Sequence, residues 1–510
     1  MKQYYLGIEF GSTRVKAVLI DGEHRIVKSG DYTWKSSLEN GVWTYHMEDV
    51  QTGLRTAIRN LGELPGAVSA MGISGMMHGY LAFDKDWNLL APFRTWQNTM
   101  TGEAAEQLTA EFGFNIPQRW SIAHLYQAVL NGEAHVKNIA HITTLAGYVH
   151  YLLTGENVLG VGEASGMFPI DSETLDYDAA MLKKFDALTA KYGFAWTARS
   201  VLPKVLAAGQ AAGALTQAGS TFLDGLLPAG IPFCPPEGDA GTGMTATNAV
   251  APRTGNVSAG TSIFAMVVLE KPLSKVYQEI DMVTTPSGKP VAMVHCNNCT
   301  NDMNAWVSLL GETAKLFGAE VSTGELFTKL YQKSLEGDAD CSGVLTYNYM
   351  AGEGITHLDE GRPMVVRKPE SSFTLANFLR SQLYATMSTL KLGMDILAEE
   401  HVAIDSLTGH GGLFKTPVVG QKYMAAACRA SVTCMESAGE GGPYGMALLA
   451  SYLVQKQDGQ TLEQYLETEI FADVKRTTLA PDPEDEAGFD RYLSWYRSAL
   501  AAENAAVKAF

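Results

Sequence analysis

Residues Tyr4 to Phe10 are apolar apart from Glu9 and rich in β-prone side chains, which predicts a strand. Gly11-Ser12-Thr13-Arg14 breaks that pattern as a turn, Val15 to Ile20 resumes it, Asp21-Gly22 reads as a hairpin turn, and Arg25 to Trp34 forms a third strand. From Met47 to Leu61 the apolar positions recur at helical spacing, with Glu48 and Asp49 placed where they complement a helix N-terminus. Ala67 to Ser74 returns to strand and ends at Gly75. Antiparallel strands followed by alternating helix and strand predict an α/β domain with a mixed sheet.

The opening pattern returns near mid-chain. Thr254 to Ala259 leads through Gly260-Thr261-Ser262 into an apolar run from Ile263 to Leu269. Laid on Gly11-Ser12-Thr13, the second turn sits at an offset of 249 residues, close to half the chain. Such a repeat predicts duplicated domains facing each other across a cleft, with the boundary between Ala246 and Gly255. Further on, Leu379, Leu383, Leu390, Met394 and Leu397 mark a buried helix over Leu375 to Leu397. Ser406 to Gly412 reads as a strand entering a Gly-rich turn, with a helix through Tyr423 to Cys428 behind it. The run from Pro481 to Glu486 reads as a solvated connector, and Asp490 to Phe510 as a polar, Ala-rich helix.

Composition narrows the classes. A single core rarely serves more than about 250–300 residues, so 510 residues predict two domains. The chain is 46% hydrophobic and 18% charged, an ordinary globular balance. Its 38 basic and 55 acidic residues leave a net charge of −17, which argues against a general nucleic-acid or anionic-membrane binder. Six cysteines are too few for a disulfide scaffold and predict reduced thiols in the cytoplasm. Only Cys296 and Cys299 form a CxxC, which without a second pair is not a structural zinc motif, though it leaves a redox pair open. Met1 to Tyr5 lacks the apolar stretch of a signal peptide, and no run of about 20 residues is continuously apolar.

Chemistry enters at the turns. A Gly-hydroxyl turn between strands lets the backbone approach an anion while successive N–H groups and hydroxyls converge on it. Gly11-Ser12-Thr13, Gly260-Thr261-Ser262 and Gly411-Gly412 are therefore candidate phosphate holders, with Lys16 a candidate positive charge. No GxxxxGK[ST] is present, which disfavours a P-loop enzyme. Glu9, at the end of the first strand, can hold Mg²⁺ against a nucleotide's phosphates or be a plain strand-end charge. Asp239 precedes the small residues Ala240 to Ala249 and suits both a helix N-cap and a base that accepts a hydroxyl proton. His78 lies on a Gly-rich turn after a strand, and a lone His there is more often structural than catalytic. Trp96-Gln97-Asn98 combine an aromatic face with amide donors and acceptors, a set that suits a polyol.

These motifs, in this order, resemble the FGGY family of carbohydrate kinases. Gly7 to Val18 resembles the family's first phosphate motif, and Gly72 to Gly79 the GISGQMHG segment of xylulokinases with Met76 in place of Gln. Leu153-Thr154-Gly155-Glu156 with Ala164-Ser165-Gly166, Gly238-Asp239, Gly260-Thr261-Ser262, Gly409 to Pro417 and Glu440 to Ala447 continue the match, so that it spans roughly residues 4 to 455. The resemblance implies an α/β protein of two ribonuclease-H-like, actin/hexokinase-like domains around a central cleft. Residues 1–248 would mainly bind sugar and residues 249–510 mainly ATP, the last helix packing back on the first domain. It implies ATP and Mg²⁺ as cofactors and Asp239 as the base for the attacking hydroxyl. It places sugar at Met77, His78, Trp96, Gln97, Asn98 and Asp239. Nucleotide would lie at Gly11, Ser12, Thr13, Lys16, Gly260, Thr261, Ser262, Gly411, Gly412 and Lys415, and metal at Glu9 and Asp239. Two departures bear on substrate. The family usually has Asp at Glu9, and xylulokinases commonly read WND where this chain has Trp96-Gln97-Asn98. The expectation is a cytoplasmic ketopentose kinase converting xylulose to xylulose 5-phosphate, with a homodimer left open. A kinase for ribulose, fuculose or glycerol, a kinase-inactive sugar- or nucleotide-binding protein, and an actin- or chaperone-like ATPase are the competing readings.

Overall fold

Strand β1 (Tyr4–Phe10) is the centre of the first half of the protein, and its alternation explains the layers around it. The computed structural model describes residues 3–435 and 441–509. The even-numbered Tyr4, Leu6, Ile8 and Phe10 enter a core shared with Val50, Leu54, Ala57 and Ile58 of the helix Met47–Arg59. On the other face the helix Gly442–Gln455 lies so close that a Cβ on Gly7 would stand 2.1 Å from the Pro443 carbonyl oxygen. Only a residue without a side chain permits that approach.

β1 pairs antiparallel with β2 (Arg14–Asp21), which pairs antiparallel with β3 (Ile26–Thr33). On its other side come β4 (Val68–Gly75) and β5 (Glu237–Gly238), both parallel to it. Phe10 pairs with Gly75 and Gly75 with Gly238, so the three parallel strands end in one line. Past that line the chain continues as the turn from Gly11, the turn from Met76, and Asp239. The space beyond the carboxyl ends of parallel strands is where open α/β sheets bind ligands.

A second sheet repeats the plan. β6 (Thr254–Ala259), β7 (Ile263–Val268), β8 (Pro290–Cys296), β9 (Ser406–Gly411), β10 (Ser431–Met435) and β11 (Arg476–Leu479) run in the order β8-β7-β6-β9-β10-β11. The strand Ile280–Thr284 lies outside β8 as a seventh member, and in both sheets the first strand is flanked by its antiparallel hairpin partner on one side and by a later, parallel strand on the other. The 249-residue repeat is therefore a repeat of topology.

Contacts divide the chain into one unit of residues 3–252, 268–291 and 441–473 and another of 253–267, 292–435 and 474–509. Each unit is thus assembled from segments that are discontinuous in sequence. Pro483–Ala509 belongs to the second unit, where Tyr492 Oη accepts the Thr346 N–H at 3.1 Å and donates to the Ser381 carbonyl at 3.0 Å. Tyr496 packs on Tyr347 at 4.5 Å between ring centroids, and burying a side chain of that size is worth about 2–3 kcal/mol. The late segment that joins the first unit is Gly442–Gln455, apolar enough to be buried against β1 and β4.

The connector reading of Pro481 to Glu486 is corrected. Pro483 opens the helix, a position where its missing N–H is no loss, and Glu484, Asp485 and Glu486 complement the positive end of the helix dipole. Asp485 is buried and pairs with buried Arg380 at 2.5 Å and with Lys422. Among the described residues no helix is long and apolar enough to cross a membrane.

Candidate active site

Asp239 is the first residue of the helix Asp239–Ala246, with Gly238 in the cap position. The expected N-cap role is thus not the one it plays. Its Oδ1 accepts the N–H of Ala240 at 3.0 Å and that of Met77 at 3.3 Å. The carboxylate keeps access to water although it sits in a deep recess. Burial pushes its pKa up, and the two amides oppose this by favouring the charged form. The side chain is thus fixed in direction and open on its far side, as an acceptor of a proton must be.

Glu9 stands opposite Lys16 on β2 and beside Ser74 on β4. Burial pushes its pKa up to about 8, the Asp239 charge adds to this, and Lys16 opposes it. Its Oε2 occupies the place of a Cβ on Gly442, 1.5 Å away, so the start of the late helix accommodates the extra methylene of Glu through a glycine. Ser74 Oγ and Thr242 Oγ1 lie 3.1 Å apart and join β4 to the helix of Asp239.

Two further carboxyls were not singled out from the sequence. Glu237, on β5, is buried and accepts the N–H of Glu163 at 2.8 Å and of Gly162 at 3.4 Å, and burial pushes its pKa to about 8. Glu163 is fully buried, and neither of its oxygens has a hydrogen-bond partner of good geometry among the described residues. Burial pushes its pKa well above the carboxylate range, the Asp239 and Glu237 charges add to this, and the Thr144 hydroxyl offsets only part. The available signal was a carboxylate inside a run of small and apolar residues, Val161-Gly162-Glu163-Ala164, a context that predicts burial.

The sugar-side residues separate into two groups. Met77 and His78 are buried, Met77 next to Asp239 through its N–H, and His78 has φ 69°. The Gly166 carbonyl can only accept, so the 3.0 Å contact makes His78 Nδ1 the protonated nitrogen and Nε2 an acceptor. Burial, with Arg119 nearby, lowers its pKa to about 3 against the pull of the Gly166 carbonyl, so the ring is neutral. The Tyr80–Arg94 bridge runs the segment of Trp96, Gln97 and Asn98 alongside this turn. Trp96 is 40% exposed, and the buried Gln97 Oε1 has no partner among the described residues. Asn98 departs from expectation. Its Oδ1 accepts the Trp43 N–H at 2.8 Å, and its Nδ2 donates to the carbonyls of Trp43 at 2.8 Å and Thr95 at 3.0 Å. Its amide is engaged in holding backbone and is not a free sugar ligand.

The two Gly-hydroxyl turns share one device. In the first, Trp34 Nε1 donates to the Gly11 carbonyl at 2.7 Å, Tyr45 Oη to that of Ser12 at 2.6 Å, and the Trp34 N–H to that of Thr13 at 3.1 Å. A trans peptide points its C=O and N–H in opposite directions. Fixing those carbonyls therefore aims the N–H groups of Ser12, Thr13 and Arg14 the other way. In the second turn the Gly260 carbonyl accepts from Thr300 N at 3.1 Å and Thr300 Oγ1 at 2.7 Å, and the Thr261 carbonyl from Cys299 N at 3.0 Å. The N–H groups of Thr261 and Ser262 are aimed likewise. Ala259 pairs with Gly411, so this turn and the one through Gly411-Gly412 leave the sheet side by side, with exposed Lys415 on the latter. Gly411 has φ 98° and lies against Ala259, a position closed to side chains. Glu440, from the segment resembling an adenosine site, lies outside the described residues. The rest of that segment belongs to the first unit rather than the second.

Cys296 and Cys299 are buried free thiols. Burial raises both pKa values, which suppresses the thiolate that redox chemistry requires.

Known proteins bear on this arrangement. A xylulose kinase of Haemophilus influenzae is 22% identical over 513 residues, spanning 96% of this chain and 99% of the relative. Among solved structures, a kinase from Brucella ovis described as a xyloylose kinase superposes with a TM-score of 0.79 at 19% identity, covering 98% of this chain and 99% of its own. A gluconate kinase from Lactobacillus acidophilus superposes with a TM-score of 0.80 at 16% identity, covering 99% of each chain. These likenesses show the actin/hexokinase-like two-domain fold. The models of the N-terminal and C-terminal domains of the FGGY family of carbohydrate kinases match residues 4–245 and 255–454, so the chain belongs to that family and is a phosphotransferase with an alcohol group as acceptor.

Proposed function

We propose that the protein transfers the γ-phosphoryl group of ATP to a ketopentose hydroxyl, converting xylulose to xylulose 5-phosphate in the cytoplasm. The observation that carries the reading is Asp239, fixed by the Met77 and Ala240 amides at the carboxyl ends of three parallel strands and open on its far side. The sugar oxygen attacks the γ-phosphorus, its proton passes to Asp239, the bond to the bridging oxygen breaks, and ADP leaves. Positioning and charge neutralisation dominate such transfers. Here His78 Nε2 accepts a sugar hydroxyl, the Gln97 carbonyl accepts another, and the Trp96 face stacks on C–H groups. The N–H groups of the two turns, with Lys16, Gly411, Gly412 and Lys415, receive phosphate.

Glu9 and Asp239 fit Mg²⁺. Burial raises the proton affinity of both carboxyls and the Asp239 charge raises that of Glu9 further, a cost that a divalent cation relieves. Among the described residues no three acidic, His or Cys side chains are placed to hold a metal ion by themselves; magnesium generally keeps phosphate oxygens and waters as further ligands. When bound, the ion would neutralise phosphate charge.

A coupled ADP-release assay over ketoses, sugar acids and polyols tests the proposal. Xylulose-dependent release that requires Mg²⁺ is the expected result, and no stimulation by any acceptor would overturn it. A second acceptor class stays in view because Asn98 is withdrawn from the sugar side. Stimulation by ribulose, gluconate or glycerol in preference to xylulose would establish that class.

A further inference from the structure

Cys296-x-x-Cys299 is a sequence signal that the proposed reaction does not use. Its thiols are buried, but the residues between them form a polar clamp. Glu353 is 1% exposed, and its Oε2 accepts the backbone N–H of Asn297 at 3.0 Å, that of Asn298 at 3.3 Å, and Asn298 Nδ2 at 3.1 Å. Asn298 Oδ1 in turn accepts the N–H of Met350 at 2.8 Å and of Ala351 at 3.0 Å. Asn348 Nδ2 donates to the Cys299 carbonyl at 2.8 Å. Residues 297–299 are thus gripped on both sides by the segment from Asn348 to Glu353.

The grip continues into the second Gly-hydroxyl turn. Cys299 N–H donates to the Thr261 carbonyl, and Thr300 donates to the Gly260 carbonyl through both N–H and hydroxyl. Every contact in this chain lies inside the second unit. A buried carboxylate is expensive unless donors surround it. Among the described residues Glu353 has amide donors and no ion pair, an arrangement that orients backbone. We propose that Glu353 is a positioning residue for nucleotide: acting through Asn297, Asn298, Cys299 and Thr300, it sets the direction of the Thr261 and Ser262 N–H groups and so the affinity for the ADP phosphates. This rests on reading Gly260-Thr261-Ser262 as a phosphate turn.

The test is calorimetric titration of ADP with Mg²⁺ in excess, which needs no knowledge of the sugar. Glu353→Ala should weaken ADP at least tenfold. Glu353→Gln, which keeps an acceptor oxygen, should restore it to within threefold of the unsubstituted protein. Thr300→Val, which keeps the backbone donor and loses the hydroxyl, should cost about threefold. Tyr492→Phe, which loses the hydroxyl's hydrogen bonds to Thr346 and Ser381 elsewhere in the same unit, should lower thermal stability and leave ADP affinity unchanged. A folded Glu353→Ala protein binding ADP within twofold of normal would overturn the proposal. So would a Tyr492→Phe protein weakened as much as Glu353→Ala, or an unsubstituted protein that does not bind ADP. Should Glu353→Ala fail to fold, an unchanged affinity in Thr300→Val overturns it instead. Absence of sugar-dependent ADP release, with ADP binding graded as expected, would sink the kinase reading and leave this one standing.

Discussion

The two Gly-hydroxyl turns have the same backbone plan and opposite supports. Behind Gly11-Ser12-Thr13 stand Trp34 and Tyr45, buried rings 4.2 Å apart that reach the turn by single polar atoms. Behind Gly260-Thr261-Ser262 stand backbone amides, held by a buried carboxylate and two asparagines. An aromatic support takes its rigidity from packing, because a ring has few rotamers and a large contact area. A polar support takes it from satisfying every donor, and it fails as a set when one acceptor is lost. The shared requirement is that carbonyls be fastened so that amides face outward, and side-chain chemistry is secondary to it.

If the turns hold phosphate and Asp239 performs the chemistry, the two roles separate under mutation. Asp239→Asn should lower kcat by about 10²–10⁴-fold while ADP affinity, read by calorimetry, stays within threefold. Loss of ADP binding to the same extent would dissolve the distinction. Trp34→Ala should cost about 3–5 kcal/mol in denaturant unfolding and loosen ADP, because it removes packing and a support together. Trp34→Phe keeps the ring and loses the indole donor, so its cost should fall to about 1 kcal/mol. Tyr45→Phe, which keeps the ring and deletes the hydroxyl's bonds to the Ser12 carbonyl and the Ser36 side chain, should cost about 1 kcal/mol with a smaller change in ADP affinity.

The smallest effect concerns pH. Glu237, raised to about 8, and Glu163, raised well above its usual range, hold protons in the folded protein that the unfolded chain releases above about 4.5. These two carboxyls therefore withdraw stability as pH rises from 5 to 8, while buried His78, His124 and His150, neutral in the folded protein, act the other way below about 6.5. Tm measured from pH 7 to 8, where the histidines are neutral in both states, should decline. Glu163→Gln should flatten the decline by a few degrees, and a slope as steep as before would refute the assignment.

Local pattern exposed most of the strands, because Tyr4 to Phe10 and Val68 to Gly75 are short, mainly apolar runs next to glycine and Ile263 to Val268 is continuously apolar. The turns and Asp239 were legible for the same reason, since their residue types are uncommon and their spacing repeats. Three things were not legible. Asn98 looked like a ligand because an amide's partners are invisible in sequence, and its partner, Trp43, lies 55 residues away. Glu237 and Glu163 become buried only when strand and short helix meet, from positions 74 residues apart. The acidic run at Asp485 looked solvated because Arg380, its partner, lies 105 residues earlier. Each miss is a long-range pairing of polar groups, whereas periodicity reports only which face of an element is apolar.

The helix Gly442–Gln455 has a consequence for synthesis. When a ribosome has delivered residue 252, the first sheet is complete, but the helix that covers Gly7 and Gly72 is still about 200 residues away. Until then that sheet face is apolar and bare, a state prone to unproductive association. The first unit to emerge therefore cannot close its core until most of the second has been synthesised, and a fragment ending near Pro252 would be left permanently in that state.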